Sequence, residues 1–290
     1  MTIKTKTMID IKSISPVNDS EIESRIKTIT ACPLKSIESK QAFKFILSAI
    51  DLTTLEGSDT DEKVIAMCQK ARQFHEKGNG IPNVAAVCVY PTLVRTAKNG
   101  LKGTDIHVAS VAGAFPSGQS PISVKLSEIK YAIDEGADEI DMVISRGKFL
   151  QGEFNIVFDE IAAIKDICKH VHLKVILETG ELQTLTNIRI ASDIAISAGG
   201  DFIKTSTGKI SPAATEQAFL VMLDAIKDHF NKTGKMIGIK PAGGISEPSI
   251  ALNYLKLLEN VLGQSWMNKE YFRFGASRLA DKVLAEILAA

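Results

Sequence analysis

Short apolar runs alternate with segments of helical spacing from about residue 41 onward, the rhythm of parallel strands joined by helices. The strand-like runs are residues 45–52, 84–90, 107–114, 139–144, 173–177, 202–205, 236–240 and 272–275. Between them, Val64, Met67, Cys68 and Ala71 share one face of a helix opened by the capping pair Asp59 and Glu62 and ended by Gly78. Leu126, Ile129 and Ile133 mark a second helix, from Ser123 to Gly136, and Leu185, Ile188, Ala191, Ile194 and Ala195 a third that closes on Gly199-Gly200. Eight strands, each followed by a helix, in roughly 250 residues predict an α/β fold of the (β/α)8 TIM-barrel kind. A doubly wound sheet is the alternative, but it has fewer strands and a nucleotide fingerprint after the first, which this chain lacks. Residues 1–40 are polar and mixed, with Asn18-Asp19-Ser20 suggesting a helix cap before Glu21. The expected organisation is a peripheral, helical N-terminal extension over 1–40 and a single barrel domain over 41–290.

Composition narrows the function. The 290 residues are 45% hydrophobic, ample for a buried core, and the formal net charge is zero. That balance argues against nucleic acid, whose phosphate backbone calls for a basic surface. Four scattered cysteines, Cys32, Cys68, Cys88 and Cys168, have neither CxxC spacing nor the density of a disulfide framework. Reduced thiols suit the cytoplasm. The opening Met1-Thr2-Ile3-Lys4-Thr5-Lys6 has no apolar core for a signal peptide, and no run reaches the roughly 18 apolar residues of a membrane helix. A soluble cytoplasmic protein is expected.

Barrel enzymes place their chemistry at the C-terminal ends of the strands, so the polar residues there are the candidates. Lys204 and Lys240 each end an apolar run, in Asp201-Phe202-Ile203-Lys204 and Met236-Ile237-Gly238-Ile239-Lys240. Burial disfavours a charged ammonium, and a second cation nearby depresses its pKa further. A lysine so treated becomes a neutral amine able to attack a carbonyl and form a Schiff base. Asp141 lies among apolar neighbours in Glu139-Ile140-Asp141-Met142-Val143, where alternation puts Glu139, Asp141 and Val143 on one face. One carboxylate and two lysines at a barrel mouth suit aldol chemistry: Lys204 as nucleophile, Lys240 as the cation tuning it, and Asp141 as proton shuttle. A structural Asp–Lys cluster filling the lumen is the plain alternative for any one of them. No metal or other cofactor is needed, since a Schiff base serves as electron sink.

Elements suited to phosphate lie beside these residues. Gly243-Gly244 follows the seventh strand, Ser277 follows the eighth just before a helix, and Thr207-Gly208-Lys209 follows the sixth. Each glycine alone is more simply a turn residue. Thr207-Gly208-Lys209 is not a Walker A loop, because Ile203 and Ile210 occupy its glycine and hydroxyl positions. His170 and His172 alternate at the start of the fifth strand, opposite the expected site, and fit a solvated or capping role better than a metal. Cys88 has no histidine placed to activate it; it reads as a small residue of a buried strand, and with Thr207 it is counted among the substrate-binding positions. Glu178 and Glu181 read as supporting or loop residues.

From about Ile50 to the C-terminal helix the chain resembles the deoxyribose-phosphate aldolase family. The segments that carry the resemblance are Asp51-Leu52-Thr53-Thr54-Leu55, Ala86-Val87-Cys88-Val89-Tyr90-Pro91, Glu139-Ile140-Asp141-Met142-Val143 and Leu177-Glu178-Thr179-Gly180-Glu181-Leu182. Most specific are Phe202-Ile203-Lys204-Thr205-Ser206-Thr207-Gly208-Lys209 and Gly238-Ile239-Lys240-Pro241-Ala242-Gly243-Gly244-Ile245. The resemblance implies a class I aldolase interconverting 2-deoxy-D-ribose 5-phosphate with acetaldehyde and D-glyceraldehyde 3-phosphate, in deoxyribonucleotide catabolism. It makes Lys204 the Schiff-base lysine, Lys240 the tuning lysine and Asp141 the proton relay. It places Asp51 and Thr53 by the sugar hydroxyls, and Gly208, Lys209, Gly243, Gly244 and Ser277 at the phosphate. Two features depart from the family pattern: there is no tyrosine after Tyr271, and Arg278 stands where some members have a second serine. Related barrels often pair as homodimers through outer-ring helices, but no residue here marks that interface. The first forty residues fall outside the resemblance.

Overall fold

Each strand of this chain is followed by at least one helix, and the eight strands wrap into one parallel barrel. A computed structural model of the chain describes residues 10, 11, 14–78 and 80–289; the segment Met1–Lys6 and the terminal Ala290 lie outside the described residues. Helices α1 (Asp19–Ala31) and α2 (Ser39–Ser48) precede the barrel. It then runs β1 (Ile50–Thr53), α3 (Asp61–Arg72), β2 (Ala86–Val89), α4 (Val94–Gly100), β3 (His107–Ala112), α5 (Ile122–Asp134) and β4 (Glu139–Val143). After α6 (Arg146–Leu150) and α7 (Phe154–Cys168) come β5 (His172–Ile176), α8 (Leu185–Ser197), β6 (Phe202–Lys204) and α9 (Glu216–Thr233). The circuit ends with β7 (Gly238–Lys240), α10 (Pro248–Leu262), β8 (Phe274–Ala276) and α11 (Leu279–Ala289).

Neighbouring strands pair in parallel in the order β7-β6-β5-β4-β3-β2-β1-β8. Closure comes from β7 against the approach to β8, where Ile239 donates to the Tyr271 carbonyl at 2.9 Å and Arg273 donates back to Ile239 at 3.1 Å. The apolar core lies between strands and helices, as expected for strands whose alternate side chains face outward into a helical ring. Inside the barrel a smaller apolar cluster, Cys88, Ala109, Val111, Val143 and Ile176, covers the side made by β2 to β5.

Two sequence expectations need correction. Residues 45–49 belong to the end of α2 and its cap, not to the first strand, because Phe45 and Ile46 sit on a helical stripe packed toward α10 and α11. The cap of α3 is Thr60, whose hydroxyl accepts from the Lys63 N–H. Asp59 instead ties the β1–α3 loop, accepting from Thr54 Oγ1 at 2.9 Å and from the Glu56 N–H at 2.9 Å. The Asn18 cap is as anticipated: its side chain accepts from the Ser20 and Glu21 N–H groups. Helix α1 packs against α9 and α10, where Arg25 forks onto Asp224 at 2.7 and 2.8 Å. Among the described residues no helix is long and apolar enough to cross a membrane.

Gly238 shows how tightly the bottom of the barrel is filled. A Cβ at this position would fall on the ring of Phe202, its register partner on β6. Gly238→Ala should therefore destabilise the fold by about 1–3 kcal/mol, the usual cost of overpacking. Urea unfolding of Gly238→Ala and of the Phe202→Leu/Gly238→Ala pair checks this, because the smaller side chain should restore part of the loss. An unchanged midpoint in Gly238→Ala would count against the packing argument.

Candidate active site

Period-two alternation turns a layer of ionisable groups into the barrel lumen. Asp51 of β1, Glu139 and Asp141 of β4, Lys174 of β5, Lys204 of β6, Lys240 of β7 and Arg273 ahead of β8 are all buried there. Asp141 is their hub. Its Oδ1 accepts from Lys174 Nζ at 2.8 Å, and its Oδ2 accepts from Lys204 Nζ at 2.8 Å and Lys240 Nζ at 2.7 Å. Lys240 also bonds Asp51, and Lys174 also bonds Glu139. Arg273 spans the two remaining carboxylates, with Nη1 2.8 Å from Asp51 Oδ1 and Nη2 2.8 Å from Glu139 Oε1. His107 Nδ1 lies 2.7 Å from Glu139 Oε1, at the half-buried outer end of the network.

Three carboxylates face four cations in this layer, so one cation is in excess. Burial pushes Asp141 up, but Lys174, Lys204 and Lys240 together hold it well below the usual carboxylate range. Burial pushes Lys240 down, yet Asp141 and Asp51 outweigh it and raise its pKa. Burial also pushes Lys174 down, and there Asp141, Glu139 and Asp51 together raise it. Lys204 goes the other way. Burial is the largest influence, Asp141 alone among the three carboxylates opposes it strongly, and Lys240 adds repulsion, so its pKa is lowered. The surplus proton is therefore held most weakly at Lys204.

Lys204 is also the lumen lysine that reaches open space. A cavity of about 700 Å³ opens above it, lined by Thr53 and Thr54, by Thr207, Gly208 and Lys209, by Gly243 and Gly244, and by Ser277 and Arg278. Lys240, Asp141, Asp51 and Cys88 are fully buried and do not line it. The loops after β6 and β7 are tied together below the cavity. Thr205 Oγ1 accepts from the Ala242 N–H at 2.9 Å, and Ser206 Oγ donates to the Ala242 carbonyl at 2.8 Å. This brings Gly208 (φ 78°) against Gly243 (φ 83°), where a side chain at Gly243 would strike Ala213. Among the described residues the N–H groups of Gly208, Gly243, Gly244 and Ser277 have no hydrogen-bond partner, and Ser277 lies just ahead of α11. Such a cluster of free donors, one of them just ahead of a helix, suits an anion.

The structure thus gathers Lys204, Gly208, Lys209, Gly243, Gly244, Ser277 and Thr53 at one cavity, and stacks Lys240, Asp141 and Asp51 beneath it. Cys88 is placed in the apolar lumen wall, where burial raises its thiol pKa. Thr207 lines the cavity, but its hydroxyl and N–H both donate to Glu178, at 2.5 and 3.0 Å. Lys209 Nζ pairs with Glu56 at 2.9 Å across the mouth. His172 sits at the far end of β5, beside the Phe202 ring. Among the described residues no group of three or more metal-ligating side chains is arranged around an ion site. Lys174 and Arg273 lie outside the sequence reading: in Leu173-Lys174-Val175 and Phe272-Arg273-Phe274 each is a cation flanked by apolar residues, and neither ends an apolar run as Lys204 does.

Fold and site together define a TIM-barrel enzyme with a buried lysine opening into an anion-suited cavity at the C-terminal face. Residues 45–253 match the family model described as DeoC/LacD family aldolase. The human deoxyribose-phosphate aldolase is 43% identical over 97% of this chain and 92% of its own length. A putative deoxyribose-phosphate aldolase of Caenorhabditis elegans is 44% identical over 86% of this chain and 83% of its own. The crystal structure of a putative deoxyribose-phosphate aldolase from Coccidioides immitis superposes with a TM-score of 0.72 at 27% identity, covering 93% of this chain and 98% of that one. One from Toxoplasma gondii shares the fold, with a TM-score of 0.75 at 23% identity, covering 86% of this chain and 95% of that one. The chain belongs to the DeoC/LacD family of aldolases and is a lyase. The human match spans so much of the chain that it takes in most of the first forty residues, so the resemblance reaches further than the sequence motifs indicated.

Arg273 is the group whose loss should be felt most in stability. Arg273→Leu leaves Asp51 Oδ1 buried without a partner and Glu139 held only by Lys174 and His107, at a cost of about 3–5 kcal/mol. Equilibrium unfolding in urea should show that loss in Arg273→Leu and a smaller one in Arg273→Lys. Equal stability of wild type and both variants would mean the carboxylates do not depend on the guanidinium.

Proposed function

We propose that this enzyme reversibly cleaves 2-deoxy-D-ribose 5-phosphate to D-glyceraldehyde 3-phosphate and acetaldehyde through a Schiff base on Lys204. The observation that carries the reading is that Lys204 alone of the three lumen lysines both lines the cavity and has a lowered pKa. Its neutral Nζ attacks the aldehyde carbon of the open-chain sugar. Asp141, 2.8 Å away, takes up and returns the protons of carbinolamine formation and of water loss. The resulting iminium withdraws electrons as the C3 hydroxyl loses its proton and the C2–C3 bond breaks. Glyceraldehyde 3-phosphate leaves, the enamine is protonated at carbon, and hydrolysis frees acetaldehyde and Lys204.

Lys240 stays charged throughout, because Asp141 and Asp51 both hold its proton. It repels a proton on Lys204 and shares Asp141 Oδ2, which limits how firmly that carboxylate can hold Lys204 as an ammonium. Gly208, Gly243, Gly244 and Ser277 offer N–H groups to the substrate phosphate, and Lys209 and Arg278 add positive charge around it. Thr53 lies where a sugar hydroxyl would pass, while Asp51 acts from below through Lys240. The deoxyribonucleotide-catabolic role and the cytoplasmic setting go with this substrate.

Borohydride reduction in the presence of acetaldehyde, followed by peptide mass mapping, should leave a reduced two-carbon adduct on Lys204. Lys204→Leu should lose more than about a thousandfold in cleavage rate while unfolding at a similar urea concentration, since the covalent path is gone. An adduct on Lys240 would reverse the roles of the two lysines, and substantial turnover by Lys204→Leu would sink the mechanism.

The pH dependence follows from the same charges. A depressed lysine pKa means the neutral amine prevails above that pKa and activity falls as pH drops through it. Lys240→Leu removes the repelling cation and leaves Asp141 freer to hold a proton on Lys204. The acid limb of kcat/KM should then move up by about one pH unit or more, with a lower rate at neutral pH. A limb that stays in place would show that Lys240 does not tune Lys204.

A further inference from the structure

Glu178 is a buried carboxylate that the proposed chemistry does not use, and its backbone is held in the left-handed region (φ 56°, ψ 59°). That conformation is unfavourable for a residue with a Cβ and persists where surrounding contacts enforce it. The contacts are on both sides. Oε1 accepts from the Thr207 N–H at 3.0 Å, Oε2 accepts from the Thr207 hydroxyl at 2.5 Å, and Arg146 Nη1 pairs with Oε2 at 3.0 Å. Arg146 in turn donates to the Ser117 carbonyl at 2.9 Å and pairs with Glu181 at 3.0 Å. One ion pair thus joins the segments that follow β3, β4, β5 and β6, all at the end of the barrel where the cavity opens.

Its effect falls on the loop after Lys204. Thr207 has both donors committed to Glu178, and its Oγ1 accepts from the Lys209 N–H at 3.1 Å. Glu178 therefore holds the Ser206–Thr207 peptide directly and the Gly208–Lys209 peptide through the Thr207 hydroxyl, while the Gly208 N–H on the peptide between them is left without a partner beside those of Gly243 and Gly244. Thr207 spends its donors on the protein, so the loop offers phosphate its backbone at Gly208 in place of the threonine hydroxyl. Arg146 is mostly buried and Glu178 wholly so, which makes the pair rigid compared with the exposed Lys209–Glu56 bridge.

We propose that Glu178, paired with Arg146, is the positioning residue of the phosphate loop, and that it sets the preference for phosphorylated over unphosphorylated aldoses. This rests on reading the cavity as a sugar-phosphate site. Glu178 touches neither the substrate nor Lys204; it acts by holding Thr207 and thereby presenting the Gly208 N–H.

The test compares 2-deoxyribose 5-phosphate with 2-deoxyribose in wild type, Glu178→Gln, Arg146→Lys and Thr207→Val. For Glu178→Gln and Thr207→Val, kcat/KM on the phosphorylated sugar should fall roughly tenfold or more, mainly through KM, the worth of a charge-assisted contact. On the unphosphorylated sugar the fall should stay within about threefold, and Arg146→Lys should lie between wild type and Glu178→Gln. The Glu178→Gln/Thr207→Val pair should be non-additive, because both changes release the same loop. Equal losses on both sugars would make Glu178 a purely structural residue, and unchanged values in all three single variants would remove the role altogether. A second readout is the rise in melting temperature of the full-length protein with inorganic phosphate, which should be present in wild type and reduced in Glu178→Gln. If wild type cleaves neither sugar, the aldolase reading fails while the phosphate shift still decides the role of Glu178. An undiminished phosphate shift in Glu178→Gln would overturn it.

Discussion

Three ammonium groups converge on the two oxygens of Asp141, and much of the lumen is arranged around that competition. Lys174 takes Oδ1, while Lys204 and Lys240 share Oδ2. Lys174 and Lys240 each reach a further carboxylate, and Arg273 satisfies what remains of Asp51 and Glu139. Lys204 has no second carboxylate partner among the described residues. In a dry interior a charge is tolerable only when paired and hydrogen-bonded, so the least compensated ammonium is the one that gives up its proton. The lowered pKa of Lys204 is thus a property of the whole layer, and any change in the count of charges would be felt there.

The barrel separates this charged layer from the space above it. Asp141, Lys240 and Asp51 are sealed beneath, and the strand end at Lys204 is where the layer meets the cavity. Around the cavity the chain supplies backbone in place of side chains: glycines with positive φ after β6 and β7, and the start of α11 after β8. Lys204 and these N–H groups line the same cavity, the one a nucleophile in the proposed reaction and the others donors to its phosphate. A substrate with an aldehyde at one end and a phosphate at the other fits such a division, which is why the proposed activity draws on both.

Much of the centre could be read from residues alone. A lysine closing an apolar strand run marks Lys204 and Lys240, and alternation places Glu139, Asp141 and Val143 on one face, as the lumen shows. Leu173-Lys174-Val175 and Phe272-Arg273-Phe274 hold the other two cations; each lies inside a strand run and not at its end, so neither stood out as chemistry. Boundaries were less secure. An apolar stretch such as Phe45-Ile46-Leu47 suits a buried helix end as well as a strand, and only its packing toward α10 and α11 decides. Asp59 and Thr60 are both good caps, and the choice fell to Thr60 because Asp59 is drawn back onto Thr54 and Glu56.

The order of apolar runs and helical faces determined the barrel, because period and spacing are local properties that a chain carries with it. The same locality let individual lysines and glycines be singled out. What the chain could not show by itself was how charges more than thirty residues apart would divide one another's protons. Glu139, Lys174 and Arg273 meet only when β4, β5 and the approach to β8 close around the lumen. Glu178 gains its role only when the β5 loop turns back onto Thr207. Coulombic and desolvation effects depend on distance in space and on what excludes water, and both are decided by tertiary structure.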